Sequence, residues 1–84
     1  MLATLKSQVF IDTLVFELND ETTHYLKAIL KDEGGKICST LETNLEPSQK
    51  IFSWRGFNDL PYGVYMLELI DGTEYQQMRL VKRI

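Results

Sequence analysis

Short segments in which apolar and polar residues alternate make up most of the chain. Leu14, Phe16 and Leu18 share one face of such a segment, opposite mostly polar positions. Similar alternation, or a short apolar run, occurs at residues 37–41, 51–54, 64–70 and 77–81. Because successive side chains of a strand point to opposite faces, this period of two predicts half-buried β-strands.

Residues 22–33 fit two structures. Leu26, Ile29 and Leu30 have helical spacing, whereas Leu26, Ala28 and Leu30 would share one face of a strand. We favour the strand because it leads into Asp32-Glu33-Gly34-Gly35, where glycine permits the positive φ of a tight hairpin turn.

Turn signals separate these segments at the spacing that short antiparallel strands require. They fall at residues 19–20, 33–35, 46–48, 60–63 and 71–72. The 84 residues are too few for a doubly wound dinucleotide fold or an eight-stranded α/β barrel. We therefore expect one all-β domain over residues 1–84, a small antiparallel immunoglobulin-like or fibronectin-like β-sandwich of six or seven strands.

The strongest local motif is Leu60-Pro61-Tyr62-Gly63-Val64-Tyr65. A tyrosine at the start of a strand, after a Pro and Gly turn, is typical of a tyrosine corner. In that motif the ring closes the edge of the core and the hydroxyl bonds to upstream backbone. An ordinary turn before an aromatic residue is the alternative; we favour the corner, with Tyr65 as its tyrosine.

Charge and cysteine content exclude several classes. Twelve acidic against nine basic residues give a net charge of −3, and the only basic cluster is Arg79, Lys82 and Arg83, so we expect no nucleic acid partner. Cys38 is the only cysteine, which excludes an intramolecular disulfide and a cysteine-based zinc site. No apolar run reaches the roughly 18 residues of a membrane span. The first ten residues do not resemble a signal peptide. The chain is then cytoplasmic if Met1 is the true start, or part of an exported protein whose signal lies upstream.

Catalytic chemistry finds little support in the residues. His24, the only histidine, lies beside acidic residues at a predicted turn, and a solvated role fits it best. Cys38 lies in an alternating strand, where a small buried apolar residue is favoured over a reactive thiol. Neither a calcium loop pattern nor a phosphate-binding glycine loop is present. We expect no enzyme activity, no cofactor and no metal.

Two groups of residues are candidates for contact with a partner. Phe52, Trp54 and Phe57 form either an exposed surface for sugars or a peptide, or, as favoured for Trp54, part of the core. The terminal strand, expected at a sheet edge, would offer its main chain to an added strand. Its Arg79, Lys82 and Arg83 would either attract an acidic receptor or protect the edge from aggregation.

Three motifs in order resemble a known family. They are Ala28-Ile29-Leu30-Lys31-Asp32-Glu33-Gly34-Gly35-Lys36-Ile37, the segment from Phe57 to Leu67 around Gly63-Val64-Tyr65, and the closing Arg79-Leu80-Val81-Lys82-Arg83-Ile84. Over residues 12–84 they resemble the C-terminal sorting domain of type IX secretion cargo proteins. The immunoglobulin-like domain of the flagellar hook-capping protein is similar in the middle motif. Small immunoglobulin-like proteins of gut Bacteroidetes share the Gly-x-Tyr strand.

The resemblance implies an address rather than a catalyst. A domain of this family ends a longer exported protein and is recognised by outer-membrane secretion machinery, so a secreted or cell-surface location is implied. The positions that carry over are Asp32, Gly35, Lys36, Gly63, Tyr65, Lys82 and Arg83. The chain departs from the family in opening at Met1 with no cargo before it. The alternative is a free-standing immunoglobulin-like binding or adhesion module for carbohydrate or protein that uses the aromatic surface.

Overall fold

Extended backbone dominates the computed structural model, which describes residues 3–18, 25–46, 49–72 and 74–83. Within these ranges the chain forms eight strands and no helix. The strands are β1 (Ala3–Leu5), β2 (Val9–Phe10), β3 (Leu14–Leu18), β4 (Tyr25–Asp32), β5 (Ile37–Asn44), β6 (Ile51–Trp54), β7 (Gly63–Asp71) and β8 (Glu74–Lys82). The expected all-β class is confirmed, and β1 and β2 raise the strand number above the expected six or seven.

The strands form two sheets. One has three antiparallel strands in the order β1-β3-β6, and the other has five in the order β2-β8-β7-β4-β5. All pairings in the larger sheet are antiparallel except that of β2 with β8, which is parallel. Because β1 and β2 belong to different sheets, residues 3–10 pass from one sheet to the other.

One hydrophobic cluster joins residues of both sheets. Phe16 comes from the three-stranded sheet, and Leu30, Leu67 and Leu80 come from the five-stranded sheet; none of the four is exposed to solvent. Burying each such side chain contributes roughly 1.5–3 kcal/mol to stability. The core therefore holds the two sheets together.

Strand β4 resolves the ambiguity of residues 22–33 over its described part. Leu26, Ala28 and Leu30 are buried, whereas Lys27 and Ile29 are half-buried on the opposite face. This period of two confirms the strand and makes the helix wrong for residues 25–32. The predicted turns at residues 19–20 and 47–48, and His24, lie outside the described residues.

A β-bulge changes the expected alternation at the start of β5. The register shifts between Leu30, which pairs with Ser39, and Lys31, which pairs with Ile37. Because a bulge adds one residue to a strand, Ile37 does not share the face of Ser39 and Leu41. Ile37 is 53% exposed, contrary to the face expected from alternation alone.

Candidate functional site

A cleft lies between the β4–β5 turn and the segment that leads into β7. Its volume is about 550 Å³, and it is lined by residues 32–34, 36–38 and 61–65. Strand pairing sets this arrangement, since Asp32 at the end of β4 is opposite Tyr65 near the start of β7. Two of the three motifs that carry the family resemblance therefore form the walls of one cleft.

The first wall is a tight hairpin turn. The Gly35 N–H donates to the Asp32 carbonyl (3.0 Å), and the Asp32 N–H donates to the Lys36 carbonyl (2.9 Å). The Asp32 carboxylate accepts a further bond from the Lys36 N–H (2.9 Å). Gly35 has φ +89°, a conformation that favours glycine. The hairpin predicted from the Asp-Glu-Gly-Gly sequence is confirmed, with Asp32 as its cap.

The second wall is the tyrosine corner. The Tyr65 hydroxyl donates to the Pro61 carbonyl oxygen at 2.7 Å, and the side chain is only 4% exposed. The Tyr65 ring meets the Phe10 ring edge to face, at 6.2 Å. Gly63 has φ +149°, which side-chain-bearing residues rarely adopt, so the turn needs glycine there. The expected hydrogen bond from Tyr65 to upstream backbone is confirmed.

The surroundings of Tyr65 favour the neutral form of its hydroxyl at alkaline pH. Burial raises the pKa of the Tyr65 hydroxyl, and the Cys38 thiol and the Asp32 carboxylate add smaller effects in the same direction. The phenol is therefore available as a hydrogen-bond donor to Pro61. Buried in this way, Tyr65 forms part of the cleft wall, whereas its neighbours Tyr62 and Ile37 are exposed.

Two apolar side chains at the rim are exposed. Tyr62 is 65% exposed and Ile37 is 53% exposed, although both line the cleft. The position of Tyr62 within a Pro-Gly turn accounts for its exposure. Sequence reasoning missed Ile37, and the available signal was its place as the first strand residue after a hairpin turn.

We expected the terminal strand at a sheet edge, but β8 is not the last strand of its sheet. β8 lies between β7 and β2, and the Val81 and Arg83 N–H groups donate to the Gln8 and Phe10 carbonyls, both at 2.8 Å. Lys82 is 1% exposed, and its Nζ donates to the Arg83 carbonyl oxygen at 2.7 Å. The expectation of an open terminal strand is therefore wrong at the end of β8, where β2 pairs with Val81 and Lys82.

The other predicted basic residues remain at the surface. Arg79 and Arg83 are exposed, whereas Lys82 is enclosed. The register of β8 explains the difference between Arg79 and Lys82, since Leu80 and Lys82 are directed to the core side and Arg79 to the other, whereas Arg83 follows the strand. The side chains of Arg79 and Arg83 are therefore accessible from solvent, whereas Lys82 is enclosed by the domain.

The predicted aromatic surface is largely buried. Trp54 is 8% exposed and meets Phe57, which is 2% exposed, edge to face at 4.8 Å. Phe57 also contacts Phe10 (5.7 Å), and half-buried Phe52 stacks on Phe16 at 6.1 Å. Three aromatic residues close together in sequence thus join the core instead of forming a flat exposed surface.

Other polar groups in the described ranges are engaged in local contacts. The Cys38 thiol donates to the Lys36 carbonyl oxygen (3.6 Å) and is half-buried at the cleft. Glu68, 8% exposed, pairs with Lys31 at 2.7 Å on the outer face of the larger sheet.

Among the described residues, no three His, Cys, Asp or Glu side chains are grouped as a metal site would require. No helix in this part of the chain is suited to crossing a membrane.

Comparison with known proteins gives no assignment. Neither the models of known protein families nor the curated protein sequences contain a match to this chain.

Proposed function

We propose that this chain is a non-catalytic recognition domain with an immunoglobulin-like fold, which acts as the sorting domain of an exported protein. The observation that carries the proposal is the meeting of two resemblance motifs, around Asp32 and Tyr65, at one cleft. The proposed partner is the outer-membrane secretion machinery of the type IX system, and the proposed location is the cell surface or the medium.

The strand arrangement supports the immunoglobulin-like assignment. Residues 3–10 contribute first to one sheet and then, in parallel, to the last strand of the other. Strands β3, β6, β7 and β8 are distributed between two sheets that share one core. The tyrosine corner before β7 is a further feature of such sandwiches.

Rigid walls suit the cleft to recognition. The hydrogen bond of Tyr65 to Pro61 fixes one wall, and the bonds of Asp32 to Lys36 fix the other. A preorganised site loses less conformational entropy on binding. Exposed Tyr62 and Ile37 at the rim supply apolar contact area, and aromatic residues are frequent among those that dominate binding energy.

Arg79 and Arg83 have a secondary role in this proposal. Arg79 lies on β8 and Arg83 directly follows it; both are exposed, and neither lines the cleft. Exposed charges mainly change the rate of association and its dependence on salt. Lys82 is buried, so we assign it to the stability of the domain rather than to contact with the machinery.

The test is export of a reporter. Residues 1–84 are fused behind a periplasmic reporter in a host with the type IX system, and surface or medium reporter is measured. Tyr62→Ala is the test variant. Tyr75→Ala is the matched control, because Tyr75 is also an exposed tyrosine (57%) but lies near the β7–β8 turn. Deleting the last six residues is unsuitable, since it removes buried Leu80 and Lys82.

We expect the wild-type fusion and Tyr75→Ala to be exported and Tyr62→Ala to be exported about tenfold less, as the loss of an anchor residue would give. Far-UV circular dichroism of each purified domain verifies that the variants are folded. Absence of export of the wild-type fusion overturns the sorting proposal. Equal export of the two variants overturns the assignment of the cleft.

A further inference from the structure

β5 is the longest strand at an end of either sheet in the described part of the chain. β5 has eight residues and pairs only with β4. The other strands at the ends of the two sheets are shorter: β1 has three residues, β2 two and β6 four. An open strand edge presents N–H and C=O groups that another strand can bind.

The direction of the hydrogen bonds identifies which groups are presented. The Asp32 main chain points to β5, since it donates to Lys36 and accepts from Gly35. Main-chain direction alternates along an antiparallel strand, so Ala28 also points to β5, and its partner Leu41 points back. The N–H and C=O groups of Thr40 and Glu42 therefore point away from β4, towards the open edge.

The usual protection of an edge strand is sparse here. Residues 37–44 contain no proline, lysine or arginine, and a bulge is confined to the first residues of β5. The only charged residue, Glu42, pairs with Lys27 at 3.7 Å. Proteins commonly protect long edges with lysine, proline or bulges. From Ser39 onwards, β5 is a regular and accessible template.

The charge around this edge selects the kind of strand that it would accept. Residues 32–46 contain four acidic residues, Asp32, Glu33, Glu42 and Glu46, and one basic residue, Lys36, a net charge of −3. Lys27 of β4 pairs with Glu42 and reduces the net charge beside this edge to −2. Opposite charges across paired strands stabilise and like charges destabilise. A basic segment therefore fits this edge better than a second, equally acidic copy of β5.

We propose that β5 binds an extended basic segment of another protein as an added strand of the five-stranded sheet. Main-chain bonds from Thr40 and Glu42 would supply affinity, and the negative charge would select the sequence. The cleft opens beside Ile37 and Cys38, where β5 begins, so the bound segment would lead towards it. The inference rests on the proposed function as a recognition domain and specifies the chemistry of the partner.

Amide-resolved NMR tests the inference directly. The ¹⁵N-labelled domain is titrated with a synthetic peptide of alternating valine and lysine, and separately with one of alternating valine and glutamate. We expect the lysine peptide to shift the amide signals of residues 37–44 and to slow hydrogen exchange at Thr40 and Glu42. We expect the Kd of the glutamate peptide to be at least about tenfold higher than that of the lysine peptide.

Two variants separate main-chain pairing from charge. Thr40→Pro removes an outward N–H and should abolish the exchange protection. Ser53→Pro is the matched control at an exposed position of the short edge strand β6. Its N–H also points outward, because its partner Val15 is three positions from Leu18, whose N–H donates to Lys50 on the β6 side, and main-chain direction alternates along a strand. Glu42→Lys leaves the main chain intact and should weaken the preference for the lysine peptide, so it remains informative if a proline variant fails to fold.

The outcomes are distinct from those of the export assay. No binding of the lysine peptide, signal shifts confined to other strands, or equal binding of both peptides overturns the inference. Slow exchange at Thr40 and Glu42 in the free protein, with a dimer in sedimentation, assigns the edge to a second copy and also overturns it. Because the peptide experiment needs no secretion system, the peptide can bind even if the reporter is not exported. Equally, the reporter can be exported even if the peptide does not bind.

Discussion

Strands β5 and β8 are of similar length, yet their outer edges differ. At β8, the N-terminal segment pairs with Val81 and Lys82, and Gln76 holds the main chain of Ala3 through two side-chain bonds, of 3.1 and 2.8 Å. β2 thus covers the last two residues of β8, and a gap of about 200 Å³ lies between β1 and the middle of β8. β5 has β4 on one side and no strand of the described residues on the other. The comparison teaches that a strand at the end of a sequence need not lie at the end of a sheet.

The largest expected effect is at the closed strand. Leu80→Ala removes a fully buried side chain and leaves a cavity, so we expect a loss of about 2–5 kcal/mol in the free energy of unfolding. Leu41→Ala on β5 is the matched control, because half-buried Leu41 should cost about 1 kcal/mol. Urea denaturation measures both. Equal losses would contradict the distinction between the two strands.

The bond that fixes the tyrosine corner has the next largest effect. Tyr65→Phe keeps the ring but leaves the Pro61 carbonyl without its 2.7 Å bond, and we expect a loss of about 1–2 kcal/mol. Tyr75→Phe, at an exposed tyrosine, should change stability by less than about 0.5 kcal/mol. Thermal unfolding of both variants checks this prediction. If Tyr65→Phe has the Tm of the wild type, the bond to Pro61 does not stabilise this wall of the cleft.

The contact between Gln76 and Ala3 sharpens the comparison further. Gln76→Ala removes two hydrogen bonds, and we expect a loss of about 1 kcal/mol. Hydrogen exchange at the amides of residues 3–5 should become faster, while that of β5 should not change. Gln77→Ala, on the exposed neighbour, is the control. Unchanged exchange at residues 3–5 would show that Gln76 does not close this edge.

Alkaline pH should weaken both the corner and the outer sheet face. The folded pKa of Tyr65 is raised by burial, and that of Lys31 is raised chiefly by its bond to Glu68. For groups raised in this way, the added stability is complete below the ordinary pKa values of 10.0 and 10.5 and is lost above them. We expect Tm to fall between pH 9 and 12, and to fall less in a Lys31→Gln, Tyr65→Phe double variant. An equal fall would contradict these assignments.

The smallest expected effect is at the open edge. Thr40→Lys places a charge on an exposed position of β5, and we expect a change of less than about 0.5 kcal/mol in stability. The same variant should prevent strand addition, because an edge lysine opposes it. Urea denaturation and the lysine-peptide titration together check this. A large loss of stability would mean that the β5 edge is less accessible than its pairing indicates.

Periodicity predicted the long strands well. The burial of Leu14 and Phe16, and of Leu26, Ala28 and Leu30, follows from alternation over five or more residues. Local chemistry also predicted the Gly35 turn and the Tyr65 corner. The bulge escaped prediction because one inserted residue shifts Ile37 to the other face without changing the composition of the segment.

Burial of the aromatic residues was only partly predictable. Core packing was favoured for Trp54, but Phe52, Trp54 and Phe57 have the composition of a binding surface as well as of a core. Which one they form depends on contacts with Phe10 and Phe16 from distant parts of the chain. The cleft was likewise hidden, because its walls are adjacent only through the pairing of β4 with β7.

The sequence by itself determined the all-β class, the faces of β3, β4 and β7, and the local turn chemistry of glycine, aspartate and tyrosine. These features depend on interactions between residues a few positions apart, which alternation and turn preferences report directly. Tertiary structure decided which edge is closed, that Lys82 is buried, and that Asp32 and Tyr65 share a cleft. Those features depend on pairing between distant segments, and a two-residue strand such as β2 has too short a pattern to reveal its partner.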